Sequence, residues 1–169
     1  MATKGLTVDE IMAILRETPG RITGLTDGVA EAQLHTPPEP DAWSVNDVLA
    51  HLRACHDVLG GNMLRIIRED HPAWKGMSPR TWQRRSDYGE WQFRPAFEAF
   101  RAQRAELLEV LEPLPPDAWD RTATVSVPPA KVYEYTTRYY GDWMAGHERA
   151  HMGHIARILR YGSGRQAGR

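Results

Sequence analysis

Long apolar runs are missing from this chain of 169 residues: none exceeds a few positions, against the roughly 18 that a bilayer-spanning helix needs. A transmembrane helix is not expected. Cysteine is almost absent as well, and Cys55, with no second thiol in the sequence, forms no internal disulfide. Neither sign of charge dominates, since 21 Lys+Arg stand against 22 Asp+Glu for a formal charge of −1, and duplex DNA therefore has no global electrostatic reason to bind. Residues 1–10 lack the basic-then-apolar layout of a secretion signal, which with the lone cysteine points to a cytoplasmic setting. What is present, 41% hydrophobic and 25% charged residues, is the composition of an ordinary soluble protein. The length suits one domain, whose core needs neither disulfide staples nor a structural metal. Any metal would serve chemistry.

Helix signals run through the chain. Thr7 reads as an N-cap followed by the acids Asp9 and Glu10, with Ile11, Met12 and Leu15 forming an apolar face before Pro19 interrupts. Pro19 is placed to restart a helix, which Ile22, Leu25 and Val29 continue until about His35. Ser44, with Asp47 three residues on, caps a strong helix at about 44–69 carrying Val45, Val48, Leu52, Cys55 and Leu59. Residues 71–92 show no clean period and read as a long loop with a turn of helix. Pro95 fits the first turn of a helix bearing Phe97, Phe100, Leu107, Leu108 and Leu111, which ends before Pro113. A connector at 113–130 contains a short alternating piece around Thr124 to Val127. The last helix is expected from about Lys131 to Tyr161, closed by Gly162, with a frayed tail over 162–169. Four long helical segments and no internal repeat predict an all-α, antiparallel four-helix bundle with long connections, whose usual place for a ligand or metal is its core.

On the last helix, Trp143, His147, His151, His154 and Ile158 are spaced by four, four, three and four residues and share one stripe. His147 and His151 differ by about 40° around the axis and about 6 Å along it, so both rings can reach one ion. On the Ser44 helix, His51 lies on the core face between Val48 and Cys55, whereas His56, about 140° further round, is expected to face solvent. Buried imidazoles need partners. The stripe histidines of the two helices therefore either bind a metal or sit as hydrogen-bonded polar residues of the core.

The run Trp43-Ser44-Val45-Asn46-Asp47-Val48-Leu49-Ala50-His51-Leu52, followed far downstream by His147-Glu148-Arg149-Ala150-His151-Met152-Gly153-His154-Ile155, resembles the DinB/YfiT-like family. The resemblance extends to the Pro-rich approach to Trp43 and the helix around Phe97 and Leu111. It implies a four-helix bundle in which His51, His147 and His151 hold a divalent ion such as zinc or nickel, with the remaining positions open to water or substrate. His154 stands where relatives often have glutamine, which implies a place beside the ion or facing substrate.

His147-Glu148-Arg149-Ala150-His151 also satisfies the His-Glu-x-x-His pattern of zinc proteases. Such a protease takes its third ligand downstream, and the eighteen residues after His151 contain no acid and only His154, which is too near. Glu148 is accordingly expected as a solvated surface acid, with a role as base on metal-bound water the lesser reading. Cys55, one turn after His51, reads as a small core residue before it reads as a ligand or nucleophile. Trp74, Trp82 and Trp91 interleave with Arg80, Arg84 and Arg85 in a pattern that can stack single-stranded bases. Without net positive charge it reads better as a loop pinned by its tryptophans over the bundle end, shaping a substrate pocket if it covers the site. Arg157, Arg160, Arg165 and Arg169 suit a helix C-terminus.

Three neutral histidines leave an ion its full charge and an open face. The expected function is a metal-dependent enzyme of small molecules. The resemblance implies either thiol-dependent S-transfer or isomerisation with a low-molecular-weight thiol cosubstrate, or hydrolysis, and an open borderline-soft ion favours the thiol. The alternative is a non-catalytic metal or small-molecule binding protein, with a stress-related role suggested only by the family's name. Expected partners are a small-molecule substrate and a second copy of the chain as a homodimer, with no nucleic acid and no membrane.

Overall fold

Thr7 and Glu10 close a reciprocal box at the start of α1 (Val8–Thr26): the Thr7 side chain accepts from the Glu10 N–H, and the Glu10 carboxylate accepts from the Thr7 N–H. The computed structural model, which describes residues 5–166, carries α1 without a break through Pro19. The expected interruption is therefore corrected, and the reason is specific. Proline offers no N–H to the Leu15 carbonyl one turn back, and Arg104 Nη1 donates to that carbonyl instead, at 2.9 Å. The chain reverses at Gly28, whose φ of 70° favours glycine, and makes the short α2 (Glu31–Leu34).

Ser44 and Asp47 form a second reciprocal box ahead of α3 (Val45–Cys55), as their spacing predicts. A π-helical turn over His56–Gly60 joins α3 to α4 (Gly61–Arg68), so the expected 44–69 helix is one rod with a wide turn in its middle. The π turn rotates each residue less than an α turn does. His56, the first residue of this turn, meets Phe100 with its ring and has only 8% of its surface exposed, which corrects the solvent-facing expectation.

Residues 71–92 are more structured than a loop, with β1 (Ala73–Lys75), α5 (Pro79–Arg85) and a 3₁₀ turn at Tyr88–Glu90. Next come α6 (Phe93–Leu111), a 3₁₀ turn at Pro116–Asp120, β2 (Thr122–Val127), β3 (Lys131–Thr136) and α7 (Thr137–Gln166). The last helix thus begins six residues later than expected, because Lys131–Thr136 pairs antiparallel with β2, from Val127↔Lys131 to Thr122↔Thr136. It also continues past Gly162 to Gln166, so a frayed tail from 162 is not seen; residues 167–169 lie outside the described ones. β1 joins the other edge of β2 in parallel, giving a three-stranded sheet in the order β1-β2-β3, and the fold is mostly helical without being strictly all-α.

The four long rods form a ring in which α7 packs on α1 and α3, and α6 packs on the same two from the opposite side. Directions follow from paired contacts. Leu6 N–H donates to Asp142 and Gly141 abuts Ile11, while further up Arg104 bridges Leu15 to Glu148, so α1 and α7 run parallel. A Cβ on Gly141 would stand 3.2 Å from Ile11, so glycine sets this close approach. Asp57 meets Gln103 and Gly60 abuts Leu107, which makes α3–α4 and α6 parallel too. The uniformly antiparallel bundle is thus corrected to up-down-down-up. Two parallel rods require a crossover, and residues 69–92 supply it by climbing back along the outside of α3.

Two apolar clusters fill the ends of the bundle. One gathers Ile11, Leu15, Met63, Leu107, Trp119, Tyr140 and Met144 beside the sheet; the other gathers Ile22, Val48, Leu52, Phe93, Phe100 and Ile155. A waist between them holds the buried polar residues His51, His56, Arg104 and Glu148. Among the described residues no helix is long and apolar enough to cross a membrane.

Candidate metal centre

α3 and α7 bring His51, His147 and His151 together at the waist. His147 Nε2 lies 2.9 Å from His51 Nε2 and 3.1 Å from His151 Nε2, and the three candidate ligand atoms all fall within 4.8 Å of one another. Two nitrogens bound to one tetrahedral zinc ion stand about 3.3 Å apart. The two separations from His147 are within a few tenths of an ångström of that, and with the third inside 4.8 Å the residues fit a small divalent ion.

Hydrogen bonding supports the same fit. Gln83 on α5 turns its Oε1 to His51 Nδ1 at 3.0 Å and its Nε2 to the Asp47 carbonyl at 3.5 Å. An oxygen facing Nδ1 requires a proton there, and a neutral imidazole then has a lone pair on Nε2, aimed at the cluster. Burial holds all three rings in the neutral, ligating form. It pushes His151 down to about 3, with His147, His51, His154 and Arg80 adding repulsion. It lowers His51 against the opposing Gln83 bond, and lowers His147 against the pull of Glu148; in both, Arg80 adds to the lowering.

His154 lies at the margin, 5.9 Å from His151 and 6.2 Å from Trp43 between ring centroids. Trp43 stacks nearly parallel on His151, at 8° and 6.1 Å. Cys55 is buried, as a small core residue should be, and its Sγ also sits 3.5 Å from His51 Nε2. Burial, reinforced by Glu148, pushes its thiol up to about 12.

Glu148 corrects the sequence reading most sharply. It is fully buried on the other side of α7, and both its oxygens accept from Arg104, Oε2 from Nη1 at 3.0 Å and Oε1 from Nη2 more closely still. A carboxylate so held is not available as the base of a His-Glu-x-x-His protease. Sequence spacing placed the acid on the helix but not its partner, 44 residues upstream on a rod that faces α7 across the bundle.

The crossover covers the site by way of Asp57 in the π turn. This carboxylate accepts from Trp82 Nε1 at 2.8 Å, from the Tyr88 hydroxyl, and from Gln103 Nε2 at 2.8 Å. Arg53 Cζ lies 3.8 Å from the Tyr88 ring centroid and 4.5 Å from that of Trp91, and Arg65 Cζ lies 4.6 Å from that of Trp74. The expected tryptophan pins are present, gripped by arginines of the rod beneath. Gln83 and Asp57 were missed in the sequence, since nothing local marks either one.

A four-helix bundle with an up-down-down-up chain path and three neutral histidines converging at its waist defines a helical-bundle protein with a candidate mononuclear metal site. The chain belongs to the DinB superfamily, whose family model matches residues 14–155. Among solved structures it is similar to YfiT from Bacillus subtilis, with a TM-score of 0.73 and 18% identity over 95% of this chain and 91% of that one. YfiT is described as a probable metal-dependent hydrolase with an unusual four-helix bundle topology. No curated protein sequence matches the chain.

Proposed function

We propose that this protein is a divalent-metal-dependent enzyme of small molecules, working in the cytoplasm, with zinc or nickel held by the Nε2 atoms of His51, His147 and His151. The observation that carries the reading is their convergence with the His51 lone pair fixed inward by Gln83. When bound, such an ion supplies a Lewis acid that lowers the pKa of a coordinated thiol or water. The chain's own contribution is orientation. Gln83 fixes the His51 ring, the Arg104–Glu148 pair fixes the rotation of α7 and with it His147 and His151, and the Asp57 contacts hold α5 over the site.

Among the described residues no carboxylate joins the histidine group, and Glu148 is engaged by Arg104. Transfer of a low-molecular-weight thiol needs no such base, because a metal ion stabilises a thiolate directly. That favours thiol transfer as the reaction. The likeness to YfiT supports hydrolysis as the second reading.

The test is elemental analysis of purified protein, followed by paired assays of thiol addition to small electrophiles and of ester or amide hydrolysis at matched metal content. Stoichiometric metal with thiol-dependent turnover is expected. Metal-free protein after refolding with zinc or nickel would overturn the reading, and thiol-independent hydrolysis would reverse the order of the two reactions.

A further inference from the structure

We propose that Arg80 is the specificity residue of this site and that the small molecule it admits carries an anionic oxygen group, a carboxylate or a phosphate, bound by the Arg80 guanidinium at the mouth of the histidine cluster. The inference rests on the metal reading above and names the substrate class for it.

Position comes first. Ser78 caps α5 through the Thr81 N–H, and Pro79 at the first helical position is buried. Arg80 is thereby placed one turn before Gln83, and residues three apart on a helix share a face. Gln83 touches His51, so this face of α5 is the one turned to the site. Arg80 lies with its Cζ 5.4 Å from the Trp43 ring centroid, and Trp43 in turn stacks on His151 and His154. The guanidinium thus rests on an aromatic floor continuous with the metal-holding rings.

Availability comes second. Several arginines around the site are engaged: Arg53 by Tyr88 and Trp91, Arg65 by Glu69, Arg104 by Glu148, Arg84 by Thr81. Arg80 has no ion pair and no hydrogen bond among the described residues, and its side chain is exposed. Five N–H donors in a planar fork, lying over the Trp43 ring and otherwise unused, match the oxygens of a carboxylate or phosphate. A cavity of about 420 Å³ opens beside it, lined also by Trp43, Gln83, Arg84 and Glu90, so two cations face one acid there; Gln83 and Trp43, and not the histidines themselves, join it to the cluster. An anion is favoured in that field, and a cationic substrate is not.

The experiment uses cobalt-loaded protein and two thiols, 3-mercaptopropionate and the neutral 2-mercaptoethanol. Each is titrated into wild type, Arg80→Met and Arg80→Lys while the sulfur-to-cobalt charge-transfer band is recorded. Met keeps the stem that covers Trp43, and Lys keeps the charge without the fork. The carboxylate thiol should gain about tenfold over the neutral one in wild type relative to Arg80→Met, with Arg80→Lys between, at equal cobalt content. Cobalt uptake with the same thiol ratio in wild type and Arg80→Met overturns the inference and leaves the metal reading standing. Wild type that takes up no cobalt overturns both.

Discussion

Two polar clusters share the waist of the bundle, reached through consecutive residues of α7, and they are completed in opposite ways. Glu148 finds its counter-charge inside the protein: Arg104 meets both carboxylate oxygens and the Leu15 carbonyl, in a place about 1% exposed. His147, one residue earlier, meets two more imidazole nitrogens and no group of opposite character. A buried ion pair closed on itself acts on stability, and its removal by halves is costly because a charge is left behind. A convergence of lone pairs lacks a partner, and a cation is what it is shaped for. Adjacency in sequence therefore says little about role, since successive helical residues point about 100° apart.

The comparison can be broken most forcefully at the ion pair. Glu148→Gln or Arg104→Met should destabilise the metal-free protein by about 3–5 kcal/mol, and the double variant Arg104→Met/Glu148→Leu should recover much of that. At this chain length the single variants should lower the midpoint by roughly 10 °C. Urea and thermal denaturation in the presence of a chelator read this, and single variants as stable as wild type would show the pair to be inert. Glu148→Gln should retain metal wherever it stays folded.

The histidines should behave in the reverse sense. His51→Ala, His147→Ala or His151→Ala should each weaken metal binding about 100-fold or more, equivalent to about 2.7 kcal/mol, while changing metal-free stability far less than the ion-pair variants do. Competition with a chromophoric chelator measures the first effect and denaturation the second. Full metal occupancy in all three variants would sink the assignment.

His56 sharpens the contrast, because it is a waist histidine outside the cluster. Burial, and then the Arg104 charge, push it down to about 3 from 6.5. The unfolded chain takes up the proton first as pH falls, so the stability His56 permits is complete above about 6.5 and declines by about 1.4 kcal/mol per pH unit below it, until about pH 3. His56→Gln should remove this component. Subtracting its stability profile from that of wild type in chelator between pH 7 and 5 should leave a slope worth about 2 kcal/mol, and parallel profiles would refute it.

The smallest effect is expected at Gln83. Gln83→Ala frees the His51 ring to turn and exposes both its tautomers, which should cost about tenfold in metal affinity with little change in stability. The same chelator competition decides it.

What was legible in the sequence is what is decided locally. Thr7 with Glu10 and Ser44 with Asp47 satisfy each other within three residues, and His147 with His151 needs only the geometry of one helix. The features that escaped depend on distant partners or leave no pattern. Lys131–Thr136 buries almost nothing, and Val132 is 65% exposed, so β3 shows none of the alternation that marks a half-buried strand. Its identity comes from pairing with β2. The burial of His56 depends on α6, whose Phe100 faces its ring, and the burial of Glu148 depends on Arg104. Pro19 misled because its usual effect, a broken helix, presumes that nothing else will satisfy the carbonyl it leaves bare.

That carbonyl has a consequence for how the molecule comes together. α1 is a helix with a hole in its own ladder, at Leu15, which only a guanidinium from α6 fills, and the same guanidinium is neutralised only by α7. None of the three rods is electrostatically finished by itself: α6 and α7 complete the ion pair between them, and α1 needs α6 for its carbonyl. Assemblies that lack α6 or α7 leave Glu148 or Arg104 without its counter-charge, so they are disfavoured at their centre and not merely at their surface. The waist thus acts as a latch that ties α6 to both α1 and α7, and it fixes the rotation of α7 on which the placing of His147 and His151 depends.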